Sequence, residues 1–458
     1  MPIGPTAVNM SFRCVKHLCH RRSFHRNTHF AYSTKMIEPR PPAAIGNLDA
    51  VPEQALENLR AAAQMAAPHE LAELIDRCAR GMGARRAVAY LADLRQQLLV
   101  PFVAPDLLGD ETKLTPLDVD STLAGRAFQM FDIHIQDADF DGTCIWLPLL
   151  VGADRLGVLG VTIADSAALE ADDGLLSTPL AQLASVAAEL IAAKTLYGDT
   201  LVRLRRRRDM SLAAEIQWSL LPPLTVATDT ITIAAVLEPA YHVAGDTIDY
   251  AVNAGITHVA VFDGMGHGIQ SAQCAVLAVA AYRNARRSEC TLIDTMHRIE
   301  QALLTGLGEE MFSTAVLAQL DTGSGMLQWV NGGHHAPLLL RDGKFIKTLH
   351  VDPRPPLGLG YLRESQPVPV GNEQLEPGDQ ILMYTDGVVD ARSPSGEFFG
   401  IDRLAELVIR HLAGGLPAPE TMRRVIQELF EHQQGPLIDD ASLLLLEWNS
   451  GNERDMLA

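Results

Sequence analysis

The chain reads as a multidomain α+β protein, in which an α/β domain and a helical linker precede an antiparallel β-sandwich with helices on its outer faces. Three observations predict this. Its 458 residues are enough for two or three domains, each with its own core. In the C-terminal half, apolar runs come in pairs separated by local turns, which implies antiparallel sheets. Alanine-rich helical stretches lie between the runs and must cover the outer faces of those sheets. The expected division is a tail and linker over 1–52, an α/β domain over 53–194, a helical linker over 195–222, the sandwich over 223–449 and a tail over 450–458.

Residues 1–35 hold six Lys/Arg and no Asp/Glu. Cys14, Cys19, His25 and His29 invite a zinc reading, but the gap between the second Cys and the first His is far shorter than the roughly 12 residues of a finger. The segment is read as a disordered tail, or as upstream sequence with Met36 the true start. The α/β domain opens with two helices, continues with a strand over Arg86–Asp93, and closes with "CIWLPLLVGADRLGVLGVTIAD" and a helix from about Leu180. In that hairpin two apolar runs flank Gly152–Arg155, a turn signal of the right length. The order resembles a GAF sensory domain, with a PAS domain as the alternative, and implies a small-molecule or protein signal. Cys144 and His134 are read as packed residues ahead of ligands.

From Leu180 to Leu221 the pattern predicts one long helix or two in series. Leu183, Ala187, Leu190, Tyr197, Leu201 and Leu204 fall at heptad spacing, which suits a two-stranded coiled coil and hence a homodimer. The Arg205–Arg208 run is read as a solvated helix face ahead of a binding role, and Pro222-Pro223 ends the helix. In the sandwich, "FSTAVLAQL" and "MLQWVNGG" form one strand pair and "PLLLRDGKFIKTL" a hairpin around Asp342-Gly343. "DQILMYTDG" and "ASLLLLEW" are buried strands, separated by helices near Ile401–Leu412 and Pro419–Phe430.

The net charge of −19 argues against nonspecific nucleic-acid binding. Six scattered cysteines show no disulfide framework, as in a reducing cytoplasm. No apolar run approaches the roughly 18 residues that span a bilayer, so no membrane insertion is expected.

Four acidic motifs stand where an apolar strand meets a turn: Asp246 in "VAGDTIDY", Asp263 in "FDGMGHG", Asp386 in "YTDGVVD" and Asp439-Asp440 in "LIDDASLLLL". An isolated acid there is usually a turn former. Several converging on one sandwich edge would repel one another unless a divalent cation sat between them. Oxygen donors without a His/Cys cluster select Mg²⁺ or Mn²⁺ over zinc.

The order "AGD…DGMGHG…FSTAVLAQLD…VNGGHHAPLLL…GDQILMYTDGVVDARSPSGEFFG…DDASLLLLE" resembles the PPM-type metal-dependent protein phosphatases, in the bacterial branch of stage II sporulation protein E and the stress-response phosphatases of sigma-factor partner switches. It covers about Leu212 to Glu447 and implies an αββα sandwich. It further implies two Mn²⁺ or Mg²⁺ ions, with Asp263 bridging both and the Gly264 carbonyl as a further ligand. Asp386 and Asp439 (ahead of Asp440) complete the core, and Asp246 acts at the second ion directly or through water. Catalysis would use metal-activated water and no phosphoenzyme. Met265 stands where eukaryotic relatives carry a histidine, His267 is a candidate substitute, and their phosphate-binding arginine has no match. Asn331 and His334 are read as shaping a turn.

The implied function is a cytoplasmic, sensor-regulated phosphoserine/phosphothreonine phosphatase acting on a phosphorylated STAS-domain anti-anti-sigma factor. Control would pass from the sensor through the coiled coil to the "LAAEIQWSLLPP" helix, which would hold the metal-site region in an active or inactive packing. The alternative is a pseudophosphatase that binds without turnover. A nucleotide-binding kinase or cyclase is disfavoured, because no lysine follows the glycines of "GMGHG".

Overall fold

Side-chain alternation along the strand Arg86–Ala92 (β1) sets the layering of the N-terminal part. Ala89 and Leu91 face one core, whereas Val88, Tyr90 and Ala92 face another. In this computed structural model β1 lies inside a six-stranded antiparallel sheet with Leu98–Phe102 (β2), Leu117–Asp118 (β3), His134–Ala138 (β4), Gly142–Val151 (β5) and Asp154–Ile163 (β6), in the order β3-β2-β1-β6-β5-β4. Helices Pro52–Met65 (α1), Leu71–Gly81 (α2) and Pro179–Thr195 (α4) cover one face, and Leu123–Met130 (α3) covers the other. The structure describes residues 52–449 except 104–113, 139–141, 165–178, 239–240, 242–244, 267, 353, 364–366, 436 and 438. The Cys14, Cys19, His25, His29 set and His267 lie outside the described residues.

The linker differs from its expectation. It is three helices: α4, Asp199–Arg205 (α5) and Leu212–Leu220 (α6). Leu183, Ala187 and Leu201 are buried in the N-terminal core itself, and Leu190 and Leu204 pack against it. A heptad stripe and an ordinary amphipathic face share the same spacing, and here the stripe is consumed within one chain. Of the six heptad positions only Tyr197 stays exposed, so the expected coiled coil has no continuous seam among the described residues, and the homodimer loses the feature on which it rested. The arginine run is solvated only in part: the helix ends at Arg205, and Arg207 and Arg208 beyond it are exposed. Arg205 Nε donates to Ala92 O at 2.9 Å, and Arg206 pairs with Glu215 at 2.6 Å.

The C-terminal part is two antiparallel sheets packed face to face. One holds Asp246–Val252 (β9), Ile256–Gly264 (β10), Ser313–Asp321 (β11), Met326–Gly332 (β12) and Gly371–Gln374 (β15), in the order β15-β12-β11-β10-β9. The other holds Thr225–Ala227 (β7), Ile231–Glu238 (β8), Leu338–Arg341 (β13), Lys344–Thr348 (β14), Gln380–Tyr384 (β16) and Ala441–Trp448 (β17), in the order β14-β13-β16-β17-β8-β7. Val259, Val261, Val316, Ile381, Met383 and Leu444 fill the space between them. On the outer faces, Ile269–Arg287 (α7) and Leu292–Leu307 (α8) cover the first sheet. Ile401–Ala413 (α9) and Ala418–Gln433 (α10) cover the second. The sandwich with helices outside is thus as expected.

Both parts belong to one compact unit and meet through α10. Arg155 on β6 pairs with Glu420 on α10 at 3.1 Å, and their side chains are 3% and 0% exposed. Glu420 also accepts from Arg423 at 2.7 and 2.8 Å, and Arg423 reaches Asp120 in the N-terminal part. Gln96 Oε1 accepts from Arg155 at 2.7 Å. On the other side, Arg283 of α7 donates to Leu220 O at 2.6 Å and to Asp249 at 2.7 Å, which ties α6 to the first sheet.

Candidate active site

Strand register places the first pair of acids. β9 begins at Asp246 and β10 ends at Asp263-Gly264, and Asp263 lies directly opposite Asp246. On its other side Asp263 is paired with Thr314 of β11. The second sheet supplies the rest at the same edge. β16 runs into Thr385 and the one-turn helix Asp386–Val389, while Asp439 and Asp440 lead directly into β17.

Hydrogen bonds stitch the two sheets together there. Thr385 Oγ1 donates to Asp246 Oδ2 at 2.6 Å and accepts from Ser442 N at 2.9 Å. Asp440 Oδ2 accepts from Gly245 N at 2.6 Å and from Asp246 N at 3.4 Å. A Cβ on Gly387 would lie 1.9 Å from Asp440 O, so the Asp-Gly pair of "YTDG" is needed for this close approach. Gly266 and Gly268 adopt φ of +87° and +78°, which explains the glycine spacing of "GMGHG". The Gly264 carbonyl accepts from Ser271 Oγ at 2.9 Å.

The five acids foreseen from sequence are therefore gathered, but they divide by role. Asp440 is buried and its carboxylate caps the main chain around Asp246, so it positions another acid. Asp439 is exposed. Cys144 and His134 do not join a ligand cluster; they sit on adjacent strands, and burial pushes the Cys144 thiol up to about 11, as befits a packed residue. Sequence reasoning passed over Thr385, a hydroxyl immediately before the Asp-Gly pair, and Thr314. Asn331 does shape the turn, donating to His334 O and accepting from His334 N, each at 2.8 Å.

Electrostatics show what the site lacks. Burial, then Asp263 and Asp440, push Asp246 well above the usual carboxylate range. Burial, then Asp386 and Asp439, push Asp263 up to about 7. Asp386 is raised by burial and by Asp439. Among the described residues, no three His, Cys, Asp or Glu side chains already stand as a metal cage. The donor set nonetheless fits a hard divalent cation: it is all oxygen, drawn from both sheets, and its members repel one another until positive charge arrives.

Comparison with known proteins finds a family match in the C-terminal part. Residues 253–449, less than half of the chain, match the family described as stage II sporulation protein E (SpoIIE). Residues 253–449 are thus similar to the SpoIIE family. The chain is 30% identical over 140 residues to protein IcfG of Synechocystis, covering 30% of this chain and 21% of that one. It is 22% identical over 240 residues to phosphoserine phosphatase RsbU of Bacillus subtilis, covering 52% of this chain and 70% of that one. The chain thus spans only about a fifth of IcfG. Among solved structures, the SiaA-PP2C domain of Pseudomonas aeruginosa is 23% identical, with a TM-score of 0.44 over 56% of this chain and 99% of that one. The matched range contains Asp263, Asp386, Asp439 and Asp440, while Asp246 lies just ahead of it.

Proposed function

We propose that the protein is a Mn²⁺- or Mg²⁺-dependent phosphoserine/phosphothreonine protein phosphatase whose N-terminal part, read as a GAF-like sensor, regulates it. The observation that carries this is the convergence of Asp246, Asp263, Asp386 and Asp439 from two sheets with their charges uncompensated. Asp263, Asp386 and Asp439 would hold two ions, with Asp246 at the second and the Gly264 carbonyl as a further donor. The ions would supply an activated water and charge stabilisation for phosphoryl transfer. The chain's own part is orientation. Thr385 fixes the carboxylate of Asp246, Asp440 fixes its main chain, and Gly387 lets the Asp386 turn come close enough to do both.

The substrate we propose is a phosphorylated STAS-domain anti-anti-sigma factor, in keeping with the similarity to a phosphoserine phosphatase of this branch. A cytoplasmic place fits a chain in which no described helix is long and apolar enough to cross a membrane. Regulation is supported by the route between the parts. α10, which the N-terminal part grips through Glu420 and Arg423, packs beneath the sheet that holds β8 and β17. Tyr241, five residues before Asp246, is held by the linker: its carbonyl accepts from Ser211 N and its hydroxyl from Arg207 N, each at 3.0 Å.

Hydrolysis of p-nitrophenyl phosphate by the full chain, with and without Mn²⁺ and beside Asp386→Asn, tests the reading. Metal-dependent turnover lost in the variant is the expected result. Silence on this substrate and on a phosphorylated STAS protein would leave a pseudophosphatase.

A further inference from the structure

Thr314 has one hydroxyl proton and two acceptors within reach. Asp263 Oδ2 lies 3.4 Å from its Oγ1, and His334 Nδ1 lies 2.7 Å from it. The other ring nitrogen of His334, Nε2, is 3.1 Å from the carbonyl oxygen of Tyr384. A carbonyl cannot donate, so Nε2 must carry a proton. Desolvation, with His335 beside it, pushes the imidazole down to about 3, so the ring is neutral and has only that one proton. Nδ1 is then an obligate acceptor, and the hydroxyl at 2.7 Å is its donor.

We propose that His334 is a positioning residue of the candidate metal site: it captures the only proton of Thr314 and so keeps that hydroxyl from hydrogen-bonding to the carboxylate of Asp263. The proton direction is thereby set from Thr314 to His334 to the Tyr384 carbonyl, away from the acids. With its proton on the 2.7 Å contact to His334, Thr314 leaves the 3.4 Å contact to Asp263 Oδ2 without a hydrogen bond, and that carboxylate oxygen keeps its lone pairs for a cation. Without His334, the same hydroxyl would turn to Asp263 and compete with the cation for it. This rests on the two-metal phosphatase reading and assigns chemistry to a residue that sequence pattern had marked only as a turn former.

Mn²⁺ binding to the full-length chain, measured by isothermal titration calorimetry, tests it. His334→Phe removes the acceptor and is expected to weaken binding about tenfold or more, the scale on which partners of metal ligands act. His334→Gln, whose amide offers both an acceptor for Thr314 and a donor for the Tyr384 carbonyl, is expected to restore most of the affinity. In the Thr314→Val background there is no proton to misdirect, so His334→Phe should then change nothing further. An equal loss from His334→Phe in both backgrounds would show mere structural support and overturn the proposal, as would unaltered binding. If His334→Phe does not fold, selective nitrogen-15 histidine labelling of the metal-free wild type reads the tautomer, with His334→Gln identifying the signal. An Nε2–H imidazole is expected; an Nδ1–H tautomer or an imidazolium overturns the proposal. A wild-type chain that binds no Mn²⁺ at all would overturn the metal-site reading itself, and this proposal with it.

Discussion

Arg155 and Glu420, 265 positions apart in sequence, form an ion pair of 3.1 Å that water does not reach. The two are unequally dependent on it. Glu420 has Arg423 and Arg424 as further partners, at 2.7 and 2.9 Å, whereas Arg155 has Gln96. Glu420→Gln would leave the buried Arg155 without its paired carboxylate, while Arg423 keeps Asp120, at a cost of about 3–5 kcal/mol. Arg155→Met leaves Glu420 still neutralised and should cost clearly less. Urea unfolding of the full chain checks the order; equal losses would show that the remaining arginines do not compensate.

Asp263 predicts a pH dependence. Its folded value of about 7 lies above its ordinary value of 3.8, so between those limits the folded state holds a proton that the unfolded chain has released. Stability of the metal-free protein should therefore fall as pH rises from about 4 to about 7, with Asp263 alone contributing on the order of 1 kcal/mol per pH unit and the raised Asp246 and Asp386 acting in the same direction. Saturating Mn²⁺ should flatten or reverse that slope, since the cation stabilises the charged form. Asp263→Asn should stabilise the metal-free chain above neutral pH and abolish turnover. Thermal melts across pH, with and without Mn²⁺, read both effects.

The arginine run separates into unlike members. Arg205 donates to Ala92 O, while Arg208 is exposed. Arg205→Glu should destabilise the chain and alter basal phosphatase activity, because it unpins the linker beside Tyr241. Arg208→Glu should stay within about 0.5 kcal/mol of wild type. Indistinguishable unfolding curves and activities for the two variants would remove the run from any regulatory role.

Gly387→Ala offers a local test of the site's construction. Its Cβ would overlap a main-chain oxygen, that of Asp440, so the Asp386 turn or the β17 entry must move. A loss of roughly 2 kcal/mol or more is expected, together with loss of metal-stimulated turnover.

The acids themselves were legible because a carboxylate at the end of an apolar run, next to glycine, is locally conspicuous. Their division of labour was not. Asp439 and Asp440 are chemically identical neighbours, and only the course of the chain at Gly245 turns one of them into a main-chain cap. The strand beside Asp246 was expected, but the burial of Asp249 within it was not, since "DTIDYAV" mixes acids into its apolar residues; Asp249 is buried there because Arg283 and Arg286 meet it. Gly152–Arg155 was foreseen as a four-residue turn, yet Val151 pairs with Asp154, so two residues suffice and Arg155 is free to join β6 and reach α10. The linker misled for a different reason: spacing reveals that a helix has an apolar side, and it says nothing of which neighbour that side will meet.

The two leaves of the sandwich each carry only part of the acid cluster, and Thr385 and Asp440 hold the parts in alignment. Sliding one leaf over the other by a fraction of a bond length would spoil the site without unfolding anything. The apolar layer between them, which includes Met383 and Val261, thus works as the bearing on which that alignment rides. Substitutions there that leave the melting temperature nearly untouched should still slow turnover, so a screen for slow but well-folded variants should return residues that touch neither metal nor phosphate.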